Sequence, residues 1–124
     1  MRSAIPTAVL LWGLAAAQLI AAPALAEYGA IARDEGADKS GASWRQPTQQ
    51  RADEVAISEC GTSGCKVVIR AGPGMCGALA TTDNGKGMGA SSRKDRDAAR
   101  LASLKGCQKD KKGECTVRFS DCNK

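Results

Sequence analysis

The sequence predicts an α+β fold in which one strand–strand–helix–strand unit occurs twice in tandem. The expected result is one antiparallel-rich sheet of about six strands with two helices on one face, stapled by disulfides. Three observations lead there. All six cysteines lie between Cys60 and Cys122 of a 124-residue chain. Tyr28-Gly-Ala-Ile-Ala32 matches Cys76-Gly-Ala-Leu-Ala80, and Gly41-Ala-Ser43 matches Gly89-Ala-Ser91, both at an offset of 48 residues. Two runs that begin at a cysteine, Cys65 to Arg70 and Cys115 to Ser120, alternate with the period of a strand.

Residues 1–26 read as a signal peptide rather than as part of the fold. Arg2 supplies a positive start, Ala8 to Ala22 an apolar stretch, and Ala24-Leu25-Ala26 the small residues of a cleavage site. Pro23 and the polar chain that follows oppose a retained anchor, so no transmembrane segment is expected after cleavage. The mature chain, residues 27–124, is then a single secreted α+β domain with internal repeats at about 28–75 and 76–124. Its expected location is secreted or periplasmic, where an even set of cysteines in a short chain forms a disulfide framework.

Each repeat opens with two short strands. In the second, Asp83-Asn84-Gly85 supplies the positive φ angles of a tight hairpin. In the first, Ala37 to Ser40 makes a looser loop. A helix follows in each. Thr48 caps residues 49–59, with Ala52, Val55, Ala56 and Glu59 on one face. Ser92 with Asp95 reads as a capping box for a helix reaching about Lys105, with Ala98, Leu101, Ala102 and Lys105 on its face and Leu104 beside them. Helix ends are expected at Cys60-Gly61 and Gly106-Cys107. The drift of the offset from 48 to 47 is expected to come from a longer start to the second helix. In the closing strands, Cys65, Val67 and Ile69 share one face, as do Cys115, Val117 and Phe119.

Counting alone leaves the cysteine pairing open. The repeat narrows it, because equivalent positions make equivalent bonds. Cys60–Cys65 and Cys107–Cys115 join each helix to its last strand, and Cys76–Cys122 remains. A metal site is disfavoured, since the chain has no histidine and lacks Cys-x-x-Cys pairs.

The absence of histidine also excludes Ser-His-Asp and Cys-His catalysis. The acidic groups Asp34-Glu35, Asp53-Glu54 and Asp95/Asp97 read as solvated or as helix N-terminal residues. Ser91-Ser92-Arg93-Lys94 has generic spacing. Gly85-Lys-Gly-Met-Gly89 lacks the ending of a phosphate loop and fits a hairpin. No catalytic residue, metal or cofactor is assigned. Charge is uneven: residues 27–75 carry six basic and seven acidic side chains, whereas residues 76–124 carry eleven and six. Arg93, Lys94, Arg96, Arg100, Lys105, Lys109, Lys111 and Lys112 form a possible anionic-partner patch, although the stacking aromatics of nucleic-acid binders are missing beside it.

Tyr28-Gly-Ala-Ile-Ala, a helix closing in Cys60-Gly, Cys65-Lys-Val-Val-Ile and Cys76-Gly-Ala-Leu-Ala together resemble the bacterial family DUF4189, a domain of unknown function. The resemblance covers nearly the whole mature chain. It implies a bacterial secreted or periplasmic protein with internal disulfides and no catalytic residues to carry over. Relatives often have tryptophan-rich second strands; here Trp44 remains, while Met88 and glycines occupy the second copy. The leading reading is a non-enzymatic exported module that binds a protein or envelope component through an exposed sheet face and loops. The alternative is a cationic binder of nucleic acid or anionic envelope polymer through the basic second half.

Overall fold

The computed structural model describes residues 26–109 and 112–124. The expected signal peptide, apart from Ala26, and the patch residue Lys111 lie outside the described residues. Eight elements follow in order: β1 (Tyr28–Asp34), β2 (Lys39–Gln46), α1 (Gln49–Cys60), β3 (Lys66–Ala71), β4 (Cys76–Thr82), β5 (Met88–Arg93), α2 (Arg96–Gln108) and β6 (Cys115–Cys122). The class is α+β, and the order strand–strand–helix–strand occurs twice. None of the described helices is long and apolar enough to cross a membrane.

The expected single sheet is instead two. One runs β2-β1-β3 and the other β5-β4-β6, both antiparallel. The reason lies in the central strands. β4 is buried along its whole length and β1 at all but its ends, so neither has a wet face. Alternate side chains point to opposite faces, and both faces of each central strand need a cover. Ala30 and Ala32 pack with Ala52, Ala56 and Cys60 of α1, while Cys76 and Ala78 pack with Ala99 of α2. The other face of each sheet is turned toward the other sheet. There β1 lies over β4, β3 over β5 and β2 over β6, with Ile31 and Leu79 fully buried. Among the described residues the layers run helix, sheet, sheet, helix, and both central strands are covered on both faces.

Small residues make these layers possible. A Cβ on Gly41 would stand 2.2 Å from the Cys60 backbone nitrogen, and one on Gly89 would stand 2.1 Å from the Ser103 carbonyl oxygen. Each helix therefore rests directly on strand backbone. Ser43 and Ser91 donate from Oγ to the carbonyls of Ala52 and Ala99, each at 2.6 Å. Trp44 fills the space between the sheets, against Gly29 of its own sheet and Gly77 of the other.

Thr48 caps α1 by accepting from the Arg51 N–H, and Gly61 ends it in the left-handed region, as expected. The helix buries Cys60 in place of Glu59, which is exposed. The second helix differs more. Ser92 belongs to β5, and the cap is Asp95, which accepts from the Ala98 N–H. That start turns Ala99, Ser103 and Cys107 inward and leaves Leu101 55% exposed. The helix also continues through Gly106, which lies against Gly89. The drift in offset has another source than helix length. The pairing of β1 with β2 slips between Tyr28 and Ala30, where Arg45 takes φ 55°, and β4 with β5 has no such slip. A bulge adds one residue to the first unit.

Bulges also break the expected alternation in the last strands. Ile69 faces Ile31 but Val67 faces Ala32; Phe119 faces Leu79 but Val117 faces Ala80. Val68 and Arg118 are the extra residues, so Val67 and Ile69, like Val117 and Phe119, point to opposite sides. In the β4–β5 loop Gly85 alone is left-handed, and its N–H closes a turn on the Thr82 carbonyl. The disulfides join Cys60 to Cys65, Cys107 to Cys115 and Cys76 to Cys122, the pairing argued from the repeat.

Candidate functional site

A cleft of about 340 Å³ opens where the two sheets meet, between β1 and β2 on one side and β4 and β6 on the other. Its depth follows from the strand pattern. Arg33 and Thr81 lie on the inward faces of the two central strands and are buried. Ser40 and Phe119 are half-buried, and Asp38, Lys39 and Arg118 are exposed. The bulge at Arg118 matters here, because it turns Phe119 into the space between the sheets.

Arg33 is only 3% exposed. Its guanidinium donates to Ser40 Oγ at 2.9 Å, to Asp38 Oδ1 at 2.9 Å and across the molecule to the Gly85 carbonyl at 3.0 Å. Its Nε is buried without a hydrogen-bond partner. Arg33 thus ties the first sheet to the hairpin of the second. Arg118 Nε donates to Thr81 Oγ1 at 2.8 Å. At the far end of the interface Asn123 plays the same tying role. Its side chain donates to the carbonyls of Ala71 and Gly72 and accepts from the Arg45 N–H.

A second recess of about 330 Å³ lies beside Arg33, lined by Asp34, Glu35, Lys66 and Val68 among others. Here the Thr62 hydroxyl donates to Asp34 at 2.6 Å and holds its carboxyl below the usual range, helped by the Ala37 N–H. The pair Asp53-Glu54 does not converge on either cleft. Asp53 takes a two-pronged contact from Arg70, whose guanidinium is held further toward the charged form by that hydrogen bond and charge. Glu54 lies beside Arg51 and Gln50.

The basic residues expected to form a patch are exposed where described: Arg93, Lys94, Arg96, Arg100, Lys105, Lys109 and Lys112. They are not gathered into one stripe. Arg93 and Lys94 lie near the Cys76 end of β4, whereas Lys112 bonds through its carbonyl to Asn84 beyond the Thr82 end. Around α2, Arg100 and Lys105 stand about 140° apart. Arg96 is partly neutralised by Asp121, which Arg45 also approaches. The cleft residues Arg33, Lys39, Ser40, Thr81, Arg118 and Phe119 carry no short-range spacing. Only the stacking of β2 over β6 brings them together, so no sequence motif could have found them.

The profile of the family described as a domain of unknown function, DUF4189, matches residues 28–122. The chain belongs to the DUF4189 family. The match spans both helices, both sheets and all six cysteines. Among relatives in this family's neighbourhood, the uncharacterised protein Rv1813c of Mycobacterium tuberculosis is 48% identical over 59 residues. The uncharacterised protein Mb1843c of Mycobacterium bovis gives the same figures. The aligned stretch is 47% of this chain and 38% of the length of each of those curated relatives. An NMR structure of Rv1813c superposes with a TM-score of 0.57 at 28% identity, covering 78% of this chain and 75% of that one. In this DUF4189 chain Trp44 is a packing wedge between the sheets.

Proposed function

We propose that this DUF4189 chain is an exported, non-enzymatic module that binds a protein or envelope component at the cleft between its sheets. One observation carries the reading: both halves build the cleft jointly, on a frame held by three disulfides. A rigid, shared recess suits recognition, since little order has to be gained on binding. The engagement of Asp53 and Glu54 in surface pairs supports a role without catalysis. On this reading residues 1–26 direct export and are removed, and the oxidising compartment outside the cytoplasm closes the disulfides.

The two units are read as tandem copies of one ancestral unit. Support comes from Gly41 and Gly89 under the helices, Ser43 and Ser91 on helix carbonyls, and Thr48 and Asp95 as caps. A bulge in the same place of each last strand adds to it. The second functional reading, a cationic binder of nucleic acid or anionic envelope polymer, is favoured by the exposure of Arg93, Lys94 and Arg100.

The test is retention of the oxidised protein on isolated envelope as salt is raised. Retention that persists supports a packed contact. A steep loss with salt moves the function to polyanion binding, and no retention at any salt refutes both. Sequencing of the exported protein should begin at Glu27.

A further inference from the structure

The chemistry of the cleft selects a ligand. Ser40 Oγ accepts from Arg33, and Thr81 Oγ1 accepts from Arg118. Each hydroxyl has a single hydrogen, and among the described residues neither gives it to a protein acceptor. Both remain available as donors. The Nη groups of Arg118 and the Lys39 ammonium have no hydrogen-bond or ion-pair partner among the described residues. The one carboxylate of the lining, Asp38, is held by Arg33. Arg33, Lys39 and Arg118 against Asp38 leave two positive charges in excess. Phe119 supplies an apolar wall, and the volume of about 340 Å³ lies in the range of small-molecule sites.

We propose that this cleft binds a small oxyanion, a carboxylate or phosphate, whose oxygens sit among Lys39, Arg118, Ser40 and Thr81 and whose body lies against Phe119. Apart from Asp38 Oδ2, whose partner oxygen is held by Arg33, the polar side-chain groups left without a partner there can donate, and a guanidinium fork pairs well with either oxyanion. A partly enclosed recess also strengthens such contacts relative to open water. The inference rests on the reading of the chain as a binding module and names the ligand class of its site.

The experiment is an amide NMR titration of the oxidised protein with benzoate, with inorganic phosphate and with uncharged benzamide. Saturating shifts at Ser40, Thr81 and Phe119 are expected with an oxyanion and not with benzamide. Benzoate alone would identify a carboxylate on an apolar body, and phosphate alone a phosphate site. Arg118→Gln and Lys39→Gln, both at the exposed rim, should each weaken binding roughly tenfold, as expected for a charged hydrogen bond. Arg93→Gln with Lys94→Gln, at the other end of β4, should leave it unchanged. Equal weakening by the two sets would reduce the effect to net charge and overturn the site. So would a folded spectrum with no saturation by either anion. Envelope retention in that case would leave the binding module standing without its oxyanion.

Discussion

Removing the Cys76–Cys122 bridge should destabilise the protein about twice as much as removing Cys60–Cys65. In the chain-entropy account a bridge acts by shortening the unfolded chain's freedom, and its effect grows with the logarithm of the loop it closes. The sequence separations are 46 for Cys76–Cys122, 8 for Cys107–Cys115 and 5 for Cys60–Cys65. These convert to about 4, 2.5 and 2 kcal/mol respectively. The structure adds to the largest. Cys122 directly precedes Asn123, whose side chain clasps Ala71, Gly72 and Arg45 of the other unit. Releasing the end of β6 therefore loosens contact between the sheets as well. A loss of about 4 kcal/mol is a large share of the roughly 5–15 kcal/mol that holds an ordinary domain. The measurement is urea unfolding of Cys76→Ala/Cys122→Ala and Cys60→Ala/Cys65→Ala, followed by the fluorescence of Trp44, which lies between the sheets. If both pairs cost the same, loop length does not govern these bridges and the reasoning fails.

Gly41→Ala and Gly89→Ala should each destabilise by about 1–3 kcal/mol or more, because the new methyl meets helix backbone that can only move away as a unit. Gly72→Ala has nothing within 4 Å and should change the urea midpoint little; equal effects at all three would contradict the close helix–strand approach. Ser43→Ala and Ser91→Ala should each lose about 1 kcal/mol, and by similar amounts, since each gives up one buried hydroxyl bond to a helix carbonyl. Markedly unequal losses in thermal melts would show that the two units hold their helices differently. Asp34 has its carboxyl held low by Thr62 and Ala37 in the folded state. It therefore stabilises at neutral pH, and the contribution disappears as pH falls through its folded value, below the ordinary range near about 4. Asp34→Asn should flatten the stability curve on that acid side; parallel curves for the two proteins would rule this out.

Element order, both helices and all three cysteine pairs were legible because each leaves a local mark: a capping hydroxyl, a glycine after a cysteine, a repeated pentapeptide. The second sheet left its mark too, in Gly29-Ala30-Ile31-Ala32 and Gly77-Ala78-Leu79-Ala80, where neither parity is polar. Such runs belong to strands covered on both sides. Weighing only the alternation of the last strands pointed to one sheet with a wet face. The bulges at Val68 and Arg118 were hidden because neither residue is a glycine or stands in a turn. The inward face of α2 was missed because Leu101 drew the apolar stripe to Ala98, Leu101 and Ala102, one residue away from the buried Ala99, Ser103 and Cys107, and one residue of displacement turns a helix by about 100°. The cleft was illegible for a stronger reason: its residues come from positions 33–40, 81 and 118–119, and only tertiary stacking joins them.

The same small residues explain why this chain needs its bridges. Four layers in a domain of this size leave little room for large side chains on the inner faces, and the fully buried core is mostly alanine, with Ile31 and Leu79 as its largest apolar members. Glycine and alanine let backbone approach backbone, but they bury little apolar area for each residue that must be ordered. Cross-links supply what such a core lacks. They also account for where function can reside. With the central strands covered and helices resting on glycine, variation at the core would break the layers, whereas Lys39, exposed at the rim of the cleft, can change without touching them.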